Sequence, residues 1–357
     1  MRTWHLVVDV ALCQGCNNCF LACKDEHVGN DWPGYARAQA LHGERWIEIP
    51  CKERGQYPLI DVAYRPTLCA HCGDAPCVSR SGGAIRKRGD GIVLIDPTLA
   101  AGRRELVEAC PYGMIVWNEE SQTPQKCTLC AHLLDTGWSE PRCVQACGPG
   151  ALSVVYEDEE SFRARAAKEG LVQLYRARGR KGACPDRPEP VDPGTVVYYK
   201  NLWRFESSFI AGSVAWQREG VVDCAAGIPV TLRRVAADSP GTGDDAVSET
   251  HRPSDAVITV YTDAFGDFWF DRLEPDSGEY EVEVAAPGYR PVAVCATLGS
   301  SLNVGTIVLE PAATGPARTP MGPSAHQPIP DRTAGAGIRG VRGQRVPVTG
   351  MAGRGSR

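Results

Sequence analysis

Cysteine spacing constrains this chain more than any other feature. Of 357 residues 16 are cysteine, and twelve of those, between positions 13 and 147, form four successive groups. Cys13, Cys16, Cys19 and Cys23 make the first, and Cys69, Cys72 and Cys77 the second. Cys110 stands by itself in "ACPYG", and Cys127, Cys130, Cys143 and Cys147 make the fourth. A secreted disulfide scaffold satisfies the count, but such scaffolds are short and this chain is long. Thiols that follow each other at two-residue gaps converge on a metal centre more readily than they pair with one another, so the spacing points to metal.

The groups resemble the bacterial ferredoxin motif C-x2-C-x2-C-x3-C-P, which binds iron–sulfur clusters. Counting back from Cys110 puts three more ligands at positions 100, 103 and 106, where the chain has Ala100, Arg103 and Leu106. The fourth position of the second group is Ser81. In two-cluster ferredoxins three cysteines of a motif bind one cluster and the fourth reaches across to the other. Under that rule, pairing the first group with the second or the third completes only two sites. Pairing first with fourth and second with third closes the count. Cluster 1 then takes Cys13, Cys16, Cys19 and Cys147; cluster 2 takes Cys127, Cys130, Cys143 and Cys23; cluster 3 takes Cys69, Cys72, Cys77 and Cys110. A fourth site would comprise Ser81, Ala100, Arg103 and Leu106, and none of these is cysteine. Three [4Fe-4S] clusters are therefore expected, with iron held by the twelve cysteines, and one whole site is missing ligand by ligand.

Zinc competes poorly, because four cysteines within eleven residues crowd a single tetrahedral ion. His71 and His132 lie beside ligands and are expected to be neighbours of the sites or surface groups. Cys51, Cys184, Cys224 and Cys295 are left over and read as ordinary buried thiols.

The pattern along the chain predicts an α+β protein. Residues 1–155 form a duplicated ferredoxin-type domain, in which "TWHLVVDVALC" and "GIVLIDPTLA" echo each other as an apolar strand, an Asp and a motif start. Residues 28–67 interrupt it without helical period and read as a structured surface excursion. A charged helix over 157–180, opened by an acidic run suited to a helix start, leads into a Pro-rich linker, and 156–204 as a whole connect the domains. Residues 205–310 carry seven candidate strands (209–216, 229–234, 257–262, 267–270, 280–285, 292–296 and 306–309), which suggests a seven-stranded β-sandwich of the carboxypeptidase regulatory-like or prealbumin-like kind. Residues 311–357, rich in Gly, Pro and Arg, are expected to be disordered. A net charge of −5 gives no reason to expect nucleic acid. With no leader-like segment before Cys13 and no long apolar run, a cytoplasmic location without a membrane span is expected.

The cross-paired motifs resemble the electron-transfer subunits of molybdopterin enzymes in the dimethyl sulfoxide reductase family. "DVALCQGCNNCFLACKDEHVGNDWPGY", "ACPYGMIVWNEE", "QKCTLCAHLLD", "YYKNLWRFESSFIAGSV" and "GDFWFDRLEPDSGEYEVEV" are similar to the transhydroxylase and resorcinol hydroxylase branch, over about residues 4 to 310. That resemblance implies a heterodimer with a large catalytic subunit holding a molybdenum bis-pterin guanine dinucleotide, where a phenol is hydroxylated. No catalytic residue is expected in this chain. A transhydroxylation has no net redox change, so the clusters would set or restore the oxidation state of the partner's metal. The alternative is an electron-transfer subunit of another molybdenum or tungsten oxidoreductase.

Overall fold

The computed structural model describes residues 2–174, 195–218, 220–235 and 257–312. The strand Arg2–Asp9 is the middle of a three-stranded sheet, antiparallel to Leu152–Asp158 and parallel to Val197–Lys200. Its residues Leu6, Val8 and the following Val10 are fully buried, in one core with Ile92, Leu94 and Tyr199. This sheet closes the cysteine-rich region on itself, because its outer strands come from the far side of all four cysteine groups. Helix Asn18–His27 begins within the first group and carries Cys19 and Cys23.

The echo seen in sequence is also local geometry. Asp9 accepts a hydrogen bond from the Ala11 N–H at 2.9 Å, and Asp96 accepts one from Thr98 at the same distance. Each side chain bends the chain just after a strand, Arg2–Asp9 in one case and Val93–Ile95 in the other. Cys13 stands four residues past Asp9, and Ala100 four residues past Asp96.

Two expectations are corrected here. Residues 28–67 keep many exposed positions but are more than a surface excursion: Ile47–Glu48 pairs with Thr67–Leu68, and Trp46 and Ile47 are buried. Their hairpin, Cys51–Gln56 with Leu59–Tyr64, reaches the second region of the protein. Gly55 makes this approach possible, since at φ +91 a Cβ there would lie 2.5 Å from the Phe209 ring. The charged helix is shorter than the 157–180 expected. Glu157 and Asp158 end the strand Leu152–Asp158, the Asp158 carboxylate caps helix Glu159–Glu169 by accepting from the Ser161 N–H at 2.9 Å, and Gly170 ends it in a left-handed turn. The linker around Cys184 and the tail from 313 lie outside the described residues.

The second region holds two four-stranded sheets. In one, Ser208–Arg218 pairs with Val221–Cys224, Asp267–Leu273 and, in parallel, Leu302–Leu309. The other runs Ile258–Tyr261, Pro229–Arg234, Gly278–Val284, Val292–Leu298. Ile210, Val214, Phe268 and Phe270 from the first sheet meet Val230, Val282, Val284 and Leu298 from the second in one apolar core. The sequence suggests seven strands; among the described residues there are eight, the addition being the exposed edge Val221–Cys224.

The two regions are joined by a buried cation. Arg54, on the hairpin, has its side chain 2% exposed and bonds Asp61 at 2.6 Å and Asp271 at 2.9 Å. Arg204 adds a second contact to Asp61 at 2.7 Å. Burial pushes the Asp61 carboxyl up, but the hydrogen bonds from Arg204 and Arg54 outweigh it and hold the group below its usual range.

Candidate metal centre

The twelve cysteines meet in three cavities. Cys13, Cys16, Cys19 and Cys147 line the first. Cys23, Cys127, Cys130 and Cys143 line the second, with His27 and Trp46. Cys69, Cys72, Cys77 and Cys110 line the third, with His71 and Lys126. Counting the solvent at their mouths, their empty volumes are alike, about 310, 320 and 350 Å³. Cys23 belongs to the first motif in sequence but lines the second cavity, because it lies one helical turn beyond Cys19 on Asn18–His27. Cys147 lies beyond Cys143 across the short helix Arg142–Gln145 and lines the first. Among the described residues no three His, Cys, Asp or Glu side chains close round a point as a single metal ion requires.

Backbone conformation shapes the cysteine loops. Gly15 sits at φ +67 with the Tyr64 ring 2.6 Å from where a Cβ would be, so only glycine fits the turn between Cys13 and Cys16. Leu129 and Cys130 both take left-handed conformations, and the Leu129 N–H donates to Cys127 Sγ at 3.3 Å. In the same way the N–H groups of Met114 and Leu152 donate to Cys110 Sγ at 3.4 Å and to Cys147 Sγ at 3.3 Å. Sulfur that receives N–H donors carries negative charge more easily, one of the controls on an iron–sulfur potential.

Burial pushes the thiols of Cys19, Cys77 and Cys127 up to about 11, and those of Cys72 and Cys130 to about 12. Cys23 and Cys143 are raised well above the ordinary thiol range by the same cause. Such thiols remain protonated near neutral pH until a metal displaces the proton. Four thiols around an apolar cavity match the all-cysteine ligation of a [4Fe-4S] cluster, so the residues fit the group.

The sets adjoin in a row. Cys19 of the first acts electrostatically on Cys23 and Cys143 of the second, and Cys69 of the third acts on Cys127 of the second. At the outer end of the first set Cys16 is exposed. Beyond the third set lie the positions without cysteine. Ala100 and Leu106 are fully buried, in one core with Cys72, Cys77, Ile85, Ile95 and Ile115. The Ser81 hydroxyl donates to the Val78 carbonyl at 2.8 Å and accepts from the Ile85 N–H at 3.0 Å. Side chains and a bond from Arg103 to the backbone occupy this place.

The leftover cysteines correct an expectation. Cys51, Cys224 and Cys295 are exposed: Cys295 falls on the outward face of Val292–Leu298 by strand alternation, and Cys224 ends the wholly exposed strand Val221–Cys224. Cys184 lies outside the described residues. His71 and His132 are both buried, beside the cavities and not on the surface. His132 Nε2 meets Glu26 at 3.0 Å, and His27, not singled out by the sequence, has Nε2 4.0 Å from Cys130 Sγ. Sequence reasoning also passes over Lys126. It is 3% exposed with its ammonium on the carbonyls of Val93 and Cys127, and the neighbouring Cys127 is its only signal in sequence.

Residues 60–157 match a family described as a 4Fe-4S dicluster domain. The chain is 41% identical over 291 residues to the pyrogallol hydroxytransferase small subunit of Pelobacter acidigallici, covering 81% of this chain and 92% of that one. It is 32% identical over 182 residues to the thiosulfate reductase electron transfer subunit of Salmonella typhi, covering 48% of this chain and 90% of that one. It is 31% identical over 200 residues to the iron–sulfur subunit of the nitrate-inducible formate dehydrogenase of Escherichia coli, covering 54% and 66%. With a ferredoxin-type region, twelve thiols gathered in three cavities and this likeness over nearly the full length of the first relative, the chain belongs to the iron–sulfur electron-transfer subunits of molybdoenzymes, in the family of the pyrogallol hydroxytransferase small subunit.

Proposed function

We propose that this chain is the non-catalytic iron–sulfur subunit of a molybdopterin-dependent phenol hydroxytransferase or hydroxylase, relaying or buffering electrons for a molybdenum site in a large partner. The observation that carries this reading is the division of twelve cysteines into three four-thiol cavities in a row. In this reading Cys13, Cys16, Cys19 and Cys147 hold cluster 1; Cys127, Cys130, Cys143 and Cys23 hold cluster 2; Cys69, Cys72, Cys77 and Cys110 hold cluster 3. A bound [4Fe-4S] cluster supplies one-electron storage. The chain's own residues fix the thiols, exclude water from the buried cavities and donate N–H bonds to sulfur. Residues 1–155 are then the ferredoxin domain, 156–204 the connection, 205–310 a β-sandwich domain that packs on the partner, and 311–357 an appended tail. The place of Ser81, Ala100, Arg103 and Leu106 favours a relay that stops at cluster 3.

Among the described residues no helix is long and apolar enough to cross a membrane. The reading includes a heterodimer in the cytoplasm, with the bis-pterin cofactor in the partner alone.

Metal analysis of the anaerobically purified complex tests it. About 12 iron and 12 sulfide per chain, from three four-iron clusters, with about one molybdenum per heterodimer, is the expected result. Iron near two clusters' worth would sink the ligand sets. Full iron with no pterin-bearing partner would leave a free electron carrier instead.

A further inference from the structure

The second and third cavities both carry buried polar groups that the cysteines do not account for: His27, Trp46 and Thr128 line the second, and the third combines a histidine with a buried ammonium. His71 is completely buried and lines it. Its Nδ1 accepts a hydrogen bond from the Val93 N–H at 3.0 Å, so the ring proton sits on Nε2. That Nε2–H is buried and has no acceptor among the described residues, an arrangement folded chains avoid. The carbonyl of the same residue, Val93, accepts from the Lys126 ammonium, whose other bond goes to the Cys127 carbonyl at 3.0 Å. An ammonium has three donors, and among the described residues two acceptors face this one. No carboxylate there pairs with Lys126, although the buried Arg54 and His132 each have one, as buried cations ordinarily do.

The charge of Lys126 is felt at Cys77 and Cys110 of the third cavity and at Cys127 of the second. Lys87, bonded to the Cys72 carbonyl at 2.9 Å, adds another positive charge beside the third set. At the second cavity Glu26 opposes Arg142 at Cys130, while Lys24 and Lys126 act on Cys23 and Cys127. The first has the exposed Cys16 and open solvent beside it.

We infer that His71 and Lys126, both oriented by the backbone of Val93, are positioning residues for the Cys69, Cys72, Cys77 and Cys110 set. They offer an N–H and a positive charge to the sulfur of whatever cluster that set holds, and raise its reduction potential. This rests on the reading of the cavities as [4Fe-4S] sites. A cluster that gains an electron gains negative charge, so a fixed donor and an uncompensated cation favour its reduced form.

The test is an EPR-monitored redox titration of the full chain, purified without oxygen together with its large partner. Cys110→Ser, which alters the third set alone, identifies its signal. In Lys126→Met and His71→Leu the midpoint of that signal should fall by a factor of at least ten in the reduction equilibrium, about 59 mV for one electron. Lys126→Arg and His71→Gln, which keep the charge and an N–H donor, should restore most of it. Full iron with an unmoved midpoint, or equal shifts in all three signals, overturns the inference. If the variants fail to take up iron, pulsed EPR of the unaltered protein with 15N-labelled histidine decides. A nitrogen coupling in the signal changed by Cys110→Ser supports the assignment, and its absence removes it. Absence of four-iron signals from the unaltered protein would instead defeat the cluster reading itself, which iron analysis reports separately.

Discussion

The Arg103 guanidinium donates through Nη1 to the main-chain carbonyl of Ser81 at 2.7 Å, joining two of the four positions at which the ferredoxin pattern lacks its ligands. Glu105 holds the same guanidinium from outside at 2.9 Å. Ala100 and Leu106 are packed beneath, so a polar bond and an apolar plug share one place.

Leu106→Ala should therefore behave as a core truncation. A loss of about 2–5 kcal/mol is expected from the removed contacts and the cavity left behind. Thermal unfolding of the anaerobic protein checks this, while the iron content should stay at the level of the parent. A neutral result would mean the plug is loosely packed.

Ligand substitutions separate the cavities from the sequence motifs. Cys23→Ser should diminish the cluster shared with Cys127, Cys130 and Cys143, and Cys147→Ser the one shared with Cys13, Cys16 and Cys19. Iron should fall from about 12 toward about 8 atoms in either case, with different EPR signals lost. Loss of the same signal from both variants would contradict the crossed arrangement.

Gly15→Val would force a branched side chain into a left-handed turn and against the Tyr64 ring. A cost of about 2–4 kcal/mol follows from the strained backbone and the overpacking together. Poor iron uptake at the first set, read from its EPR signal, is the expected phenotype. Gly15→Val combined with Tyr64→Ala should recover only the packing part.

The Arg54 contacts predict both a mutational and an acid response. Arg54→Met strips Asp271 of its buried cation and leaves Asp61 with Arg204 alone, and because these carboxylates are 29% and 20% exposed the loss should fall near the low end of the usual range, about 3 kcal/mol. Asp61 is held below its usual range in the folded protein, so its contribution is present above the unfolded value near 4 and is lost as pH falls through the lower folded value. Hydrogen exchange at the strands Cys51–Gln56 and Asp267–Leu273 should therefore quicken below about pH 4. In Arg54→Met it should already be fast at pH 7, and unchanged exchange there would show that the clamp is not what joins the two regions.

Much of the site can be read from the chain itself because cysteine ligation obeys local spacing. The gaps between Cys13, Cys16 and Cys19 fix which thiols share a loop, and the two Asp turns at Asp9 and Asp96 repeat within a few residues of each motif start. Strand alternation is legible in "YEVEV", where Tyr280, Val282 and Val284 are buried and Glu281 and Glu283 are not. The charged helix reads too long in sequence because acidic residues before a helix look alike whether they end a strand or begin a turn. Only pairing with Arg2–Asp9 draws Glu157 and Asp158 into a strand.

Sequence by itself determined the number and order of the thiols, since covalent spacing limits what each loop can present. Tertiary structure decided the rest: that Cys23 lines a cavity apart from its own motif, that His71 and Lys126 are buried beside the third set, and that Arg54 links the hairpin to the second region. These depend on which distant backbone groups end up without water, and desolvation is a property of the packed chain rather than of neighbouring residues.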